Sequence, residues 1–232
     1  MANTILVTGA NRGIGLELSR QYSAAGWRVL ACCRNPEEAV ELKKLAEHSG
    51  NKILVLTLDV GRVEDISRLA DDLRKEKIDI LFNNAGINGP KQQEFGLIDA
   101  EGWMAAMRVN VLAPYYMAVA FLDQLAAGKR RLLAIMGTQL GSIADNTSGG
   151  KYVYRSSKAA VHMVGKSLSI DLKPRGITTL LLHPGWVRTD MGGAQAALSV
   201  EESVQGLRQV LEQANADDNG KLIAYDGRII PW

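Results

Sequence analysis

Tyr154 and Lys158 stand four residues apart at the head of a segment in which Ala159, Ala160, Met163, Val164, Leu168 and Ile170 recur at helical spacing. On a helix, positions four apart lie one above the other, so the phenol and the ammonium share a face. A phenol beside a fixed positive charge is expected to have a lowered pKa, because the charge favours the phenolate. Such a tyrosine can exchange a proton with a substrate oxygen near neutral pH. The pair alone fits an ordinary surface contact equally well. A chemical role needs a second reactant held against it, and other stretches of the chain carry residues suited to holding one.

The first of these is Thr8-Gly9-Ala10-Asn11-Arg12-Gly13-Ile14-Gly15. Its glycines let the backbone turn tightly and approach a pyrophosphate at the start of the following helix. The spacing is G-x-x-x-G-x-G rather than the commoner G-x-G-x-x-G. Directly between a strand and a helix, the turn reads as dinucleotide-binding, with Gly9, Asn11, Arg12, Gly13, Ile14 and Gly15 as contacts. Where the unphosphorylated cofactor binds, an acidic residue at the end of the second strand usually meets the ribose. Here that place reads Cys33-Arg34-Asn35. Arg34 and Arg12 are suited to a 2′-phosphate, which favours NADPH over NADH; the alternative is two solvated arginines.

Further along, Asp59-Val60 closes the third strand, where the short acid would meet an adenine amino group or cap the helix beginning near Val63. Asn83-Asn84-Ala85-Gly86 follows the fourth strand; Asn83, Ala85 and Gly86 there would let a ligand pack close, or form a plain turn. Asn110 sits inside an apolar helical stretch, where an amide is intrinsically unfavoured, so it is a satisfied structural amide or part of a polar relay. His183-Pro184-Gly185-Trp186-Val187-Arg188-Thr189-Asp190-Met191 leaves the sixth strand, and its Pro-Gly turn carries the segment over the cofactor place.

The elements that must position these residues alternate regularly. Strands are expected at Thr4–Thr8, Arg28–Cys32, Lys52–Leu58, Ile78–Phe82, Arg131–Met136, Thr178–Leu182 and Lys221–Ala224. Helices are expected at Gly13–Ala25, Pro36–Glu47, Val63–Lys75, one long stretch Ala100–Ala127, Tyr154–Leu172 and Val200–Ala214. Short apolar strands alternating with helices predict an α/β fold of Rossmann type. Its parallel sheet of about seven strands is doubly wound, with helices on both faces and ligands at the strands' carboxyl ends. Residues 1–232 read as one domain, with a short substrate segment near 186–200.

Composition narrows the function classes. A 47% hydrophobic and 22% charged chain is of soluble globular type. A net charge of +2 gives no preference for nucleic acid or anionic membrane. The longest charge-free run, Val109 to Leu122, is short of the about 20 residues that span a bilayer. No signal peptide is visible, since the chain starts directly into a strand. Cys32 and Cys33 are adjacent on opposite faces of a strand and form no disulfide framework. His48, His162 and His183 lack metal-ligand spacing. The expected setting is cytoplasmic and reducing, without a metal.

T-G-x-x-x-G-x-G at Thr8–Gly15, N-N-A-G at Asn83–Gly86, Y-x-x-x-K at Tyr154–Lys158 and Pro184-Gly185 occur in order across the chain. Together they resemble the short-chain dehydrogenase/reductase family. The runs Asp145–Gly150, Pro184–Met191 and Tyr225–Trp232 look like its C-factor and sniffer branch, which is associated with carbonyl reduction. The resemblance implies that Tyr154 is the general acid. It further implies that Lys158 lowers the phenol's pKa and bonds the nicotinamide ribose, and that Asn110 holds a water leading to Lys158. Val187 and Thr189 would fix the carboxamide.

One departure stands out: where the family has a serine after the fifth strand, this chain has Thr138, in Gly137-Thr138-Gln139-Leu140-Gly141. The methyl stiffens χ1 and narrows the pocket. Ser142, in the Gly141–Gly150 loop, is the other hydroxyl available. The resulting expectation is an NADPH-dependent reductase of an aldehyde, ketone or quinone. A homodimer is expected through the Ala100–Ala127 and Tyr154 helices, the former carrying more apolar residues than one buried stripe needs. The alternative is a dinucleotide-binding signalling protein with little turnover.

Overall fold

The computed structural model describes residues 2–232. Strands β1 Thr4–Thr8, β2 Arg28–Cys33, β3 Ile53–Thr57, β4 Ile80–Asn83, β5 Leu132–Met136, β6 Thr178–His183 and β7 Leu222–Ala224 form one seven-stranded sheet. Every ladder is parallel, in the order β3-β2-β1-β4-β5-β6-β7. β1 and β5 are buried at every position because helices cover both faces, which is why they read as unbroken apolar runs. The helices are α1 Gly13–Ala24, α2 Val40–Glu47, α3 Val63–Asp72, α4 Ala100–Met107, α5 Ala113–Ala120, α6 Leu122–Ala126, α7 Tyr152–Asp171 and α8 Val200–Gln213.

Each face of the sheet buries its own core. One joins Ile5, Val7 and Phe82 to Leu18 of α1, Leu42 of α2 and Leu207 of α8; the other joins Leu6, Leu81 and Leu133 to Ile66 of α3, Met117 of α5 and Val161 of α7. Cys33 belongs to the first core and Cys32 to the second, as strand alternation requires, and both are free thiols. At the amino end of the sheet the buried Asp79 closes the backbone. Its Oδ2 accepts the Thr4 N–H at 2.8 Å, and Oδ1 accepts those of Lys129 at 2.7 Å and Arg130 at 3.2 Å. The carboxyl end is left for ligands, with the strand order reversing beside β1, between β1 and β4. No helix among the described residues is long and apolar enough to cross a membrane.

The expected single helix Ala100–Ala127 is not continuous. It divides into α4, a π-helical turn Arg108–Leu112, α5 and α6. Pro114 is the cause within the chain: it has no N–H to give Asn110, four residues back, and its ring crowds that carbonyl. The Ala113 N–H instead reaches the Arg108 oxygen, five residues back, the wider register of a π turn. Likewise Pro36–Glu47 is a short 3₁₀ turn, Pro36–Glu38, followed by α2.

Candidate active site

A cleft of about 1120 Å³ runs along the carboxyl ends of the strands. At one end Gly9 and Gly13 adopt φ of 67° and 52°, a region that L side chains rarely enter. A Cβ on Gly15 would run into the Gly9 carbonyl oxygen, so this glycine serves close packing and does not line the cleft. α1 starts without a side-chain cap and without an acidic residue in its first turn. Its leading N–H groups and positive dipole end therefore lie beside the cleft-lining Asn11, Arg12, Gly13 and Ile14. An uncapped helix start under a glycine turn fits a pyrophosphate.

The turn after β4 is fastened to this one. The Asn84 Nδ2 donates to the oxygens of Thr8 at 2.9 Å and Gly9 at 3.2 Å, while Thr8 Oγ1 accepts the Asn84 and Ala85 N–H groups at 3.0 Å each. Asn84, within the Asn83–Gly86 turn but not among its expected cofactor contacts, is the amide that makes this fastening. Asn83 is buried in β4 and does not line the cleft, so it is Asn84, Ala85 and Gly86 that do. The available signal was that Asn84 is the first amide beyond the ladder, free to turn toward the neighbouring loop.

Arg34, Asp59 and Val60 line the same end. Arg34 is exposed and makes no ion pair among the described residues, whereas Arg12 pairs with Asp190 at 2.8 Å. Both members of that pair are largely in water, so it is worth at most about 1 kcal/mol and opens readily. Asp59 Oδ1 accepts the Gly61 N–H at 2.9 Å, and the helix cap of α3 is Arg62 instead. Capping by Asp59 is thereby corrected: its carboxylate bends the turn at the cleft edge. Six basic side chains line the cleft (Arg12, Arg34, Lys151, Lys158, Arg188, Arg228) against the acids Asp59 and Asp190, a balance suited to a polyanion.

At the other end Tyr154, Lys158 and Thr138 converge. The Lys158 Nζ donates to the Met136 oxygen at 2.8 Å and lies 5.8 Å from the centre of the Tyr154 ring. Burial pushes the Tyr154 phenol up to about 12 and the Lys158 ammonium down to about 8. The expected lowering of the phenol is thus reversed. Removing water from the phenol penalises the phenolate, and the Lys158 ammonium, bonded to the Met136 oxygen, does not offset that penalty.

Thr138 is held from two sides. Its N–H donates to His162 Nε2 at 3.2 Å, and its Oγ1 accepts the Leu140 N–H at 3.3 Å, which leaves the hydroxyl proton available. The loop is moulded on His162: a Cβ on Gly137 would come within 2.8 Å of Nε2, and one on Gly141 within 2.6 Å of Cε1. Burial, with the Lys158 charge adding to it, lowers His162 to about 4, so the ring stays neutral and keeps its acceptor. Ser142 points elsewhere, its Oγ donating to the Trp232 oxygen at 3.2 Å and accepting the Asp145 N–H at 3.1 Å.

Asn110, in the π turn, does not line the cleft. Its Oδ1 accepts the Ile87 N–H at 2.9 Å, and its Nδ2 donates to the Ile87 oxygen at 2.9 Å and to Ser157 Oγ at 3.0 Å. A Cβ on Gly86 would lie 3.2 Å from Asn110 Oδ1 and 3.7 Å from Lys158 Nζ, so the glycine admits both groups. Pro184, Gly185, Val187 and Thr189 line the cleft under a segment closed by a bridge between Val187 and Leu198 and by Trp186 Nε1 donating to the Gly192 oxygen at 2.8 Å.

Known proteins resemble this chain in sequence and fold. The C-signal protein of Myxococcus xanthus is 41% identical over 155 residues, 67% of this chain and 93% of its own. The carbonyl reductase Sniffer of D. melanogaster superposes with a TM-score of 0.94 at 34% identity, covering 100% of both chains. An NADPH-bound carbonyl reductase from chicken fatty liver gives 0.92 at 31% identity, covering 100% of this chain and 99% of that one. The family model described as short chain dehydrogenase matches residues 3–223. The chain belongs to the short-chain dehydrogenase family of oxidoreductases.

Proposed function

We propose that the chain is an NADPH-dependent carbonyl reductase, acting as one 232-residue domain on an aldehyde, ketone or quinone. The observation that carries this reading is the cleft itself. A cradle suited to a pyrophosphate lies at one end, and a half-buried phenol, a buried ammonium and a buried hydroxyl converge at the other. Similarity to two carbonyl reductases, one of them NADPH-bound, supports it.

Bound NADPH would supply the hydride for the carbonyl carbon. Gly9, Asn11–Ile14 and Ala85–Gly86 would hold its pyrophosphate and ribose, with Arg34 at the 2′-phosphate. Tyr154 gives its proton to the carbonyl oxygen; a phenol raised to about 12 is fully protonated at neutral pH and so is in the donor form. Lys158 stabilises the phenolate left behind while it carries its charge, and Thr138 donates a hydrogen bond to the oxygen as negative charge develops. Asn110 contributes by holding the Ile87 backbone and Ser157. Following NADPH absorbance across a panel of aromatic aldehydes, ketones and quinones tests this. Turnover of at least one is expected; tight NADPH binding with turnover of none would favour the signalling reading that the C-signal likeness keeps open.

Two further results are expected. NADPH should bind at least about tenfold more tightly than NADH, a difference of ~1.4 kcal/mol. Arg34→Asp should abolish or invert that preference by setting like charges together; equal affinities of the native chain for both would sink the role of Arg34. The chain is also proposed to form a homodimer through α4, α5 and α7. Met117 and Phe121 are buried in its own core, but Met104, Tyr115, Val119, Met163 and Ile170 remain 43–66% exposed on these helices. Light scattering at micromolar concentration should give twice the chain mass, and a monomer mass would refute the dimer. The free, buried Cys32 and Cys33 support a reducing, cytoplasmic setting.

A further inference from the structure

The start of α7 has no cap from its own flank. Lys151, just before it, sits in the left-handed region (φ 48°, ψ 41°) and its side chain takes none of the helix's leading N–H groups. Two of those groups are taken by one residue far away in sequence, Gln93, in the loop between β4 and α4. Its side-chain Oε1 accepts the N–H of Tyr154 at 2.9 Å, and its main-chain oxygen accepts that of Tyr152 at 3.4 Å. The rest of the amide is used too: Nε2 donates to the oxygens of Asn88 at 2.7 Å and Pro90 at 2.9 Å. Both donors and the acceptor of the side chain are thus matched.

Gln93 is 5% exposed in a loop where Phe95, two residues on, is 86% exposed. An amide buried while an aromatic ring nearby is left in water reverses the usual partition, and the amide's three hydrogen bonds are what offset its desolvation. Gly89 brings the loop close: at φ 83° its Cβ would lie 2.8 Å from Val153 Cγ1. The Tyr154 carbonyl is held as well, accepting the Ser157 hydroxyl at 2.8 Å, and Ser157 is tied through Asn110 to Ile87. The backbone of Tyr154 is therefore held to one loop directly at its N–H, by Gln93, and indirectly at its C=O, through Ser157 and Asn110 to Ile87. That loop also lines the cleft, through Gly86, Ile87 and Asn88.

We infer that Gln93 is a positioning residue for the proton donor, fixing the first turn of α7 and Tyr154 against the loop that lines the cleft. It does not line the cleft itself; its side chain holds the Tyr154 N–H and the oxygen of the cleft-lining Asn88. The inference rests on the reading above, in which Tyr154 supplies the proton. Hydride and proton must reach adjacent atoms of one carbonyl, so a small drift of Tyr154 away from the loop should slow chemistry and leave ligand binding largely unaltered.

The test compares Gln93→Met, which removes donors and acceptor at similar volume, with Gln93→Glu, whose buried carboxyl, facing the Asn88 and Pro90 oxygens, is driven to its neutral form and so keeps an acceptor for Tyr154 and one O–H donor. Tyr154→Phe serves as reference, and NADPH oxidation is followed with the fastest carbonyl of the panel. Gln93→Met should lose about tenfold in kcat with KM and NADPH affinity within about twofold, and Gln93→Glu should stay within about threefold of native kcat. Native kcat in folded Gln93→Met, or Gln93→Glu as slow as Gln93→Met, overturns the inference. Should Gln93→Met fail to fold, Gln93→Glu decides: kcat within about threefold supports the role and a loss of about tenfold overturns it. A Tyr154→Phe chain with native kcat would instead sink the proton-donor reading, whatever Gln93 does.

Discussion

Tyr154→Phe is expected to lower the rate of carbonyl reduction by about 10²–10⁴-fold, with NADPH affinity little changed. The ring remains to fill its place beside Lys158, so only the proton is lost; the variant should fold and bind cofactor normally. Steady-state kcat and a fluorescence titration with NADPH separate the two effects. A pH profile gives the matching signature for Lys158. Its ammonium, lowered to about 8 by burial, is charged below that pH and neutral above it. Stabilisation of the phenolate is therefore present at neutral pH, and kcat for reduction should decline as pH rises through about 8. A rate that climbs through the same range would mean that Lys158 is not acting through its charge.

Thr138→Ala should cost about 10²-fold or more in kcat, with cofactor affinity retained, since a preorganised donor aimed at the developing oxyanion is typically worth that much. Thr138→Ser should keep activity, because the hydroxyl and its support by the loop persist. The other hydroxyl, Ser142, faces away. It is 2% exposed and firmly bonded, but to the Trp232 oxygen and the Asp145 N–H, away from the cleft that Thr138 lines. Ser142→Ala should accordingly cost stability, on the order of 1 kcal/mol, and little rate. If Ser142→Ala is the crippling change and Thr138→Ala is tolerated, the hydroxyl has been misassigned.

The alternation of strands and helices, the parallel sheet and the residue types suited to chemistry are legible in the chain alone. These are written locally: β1 and β5 are apolar throughout, Gly9 and Gly13 are needed where φ is positive, and Tyr154 and Lys158 sit one helical turn apart. What surrounds each group depends on packing between distant segments. Asn84 rather than Asn83 reaches the glycine turn because the ladder ends between them and Thr8 waits across from it. Gln93 caps α7 from a loop that no local spacing relates to Tyr154. The sign of the Tyr154 shift reversed for the same reason. The charge of Lys158 four residues away is visible in the sequence, but the water removed from the phenol depends on every element packed around it, and burial is the larger effect.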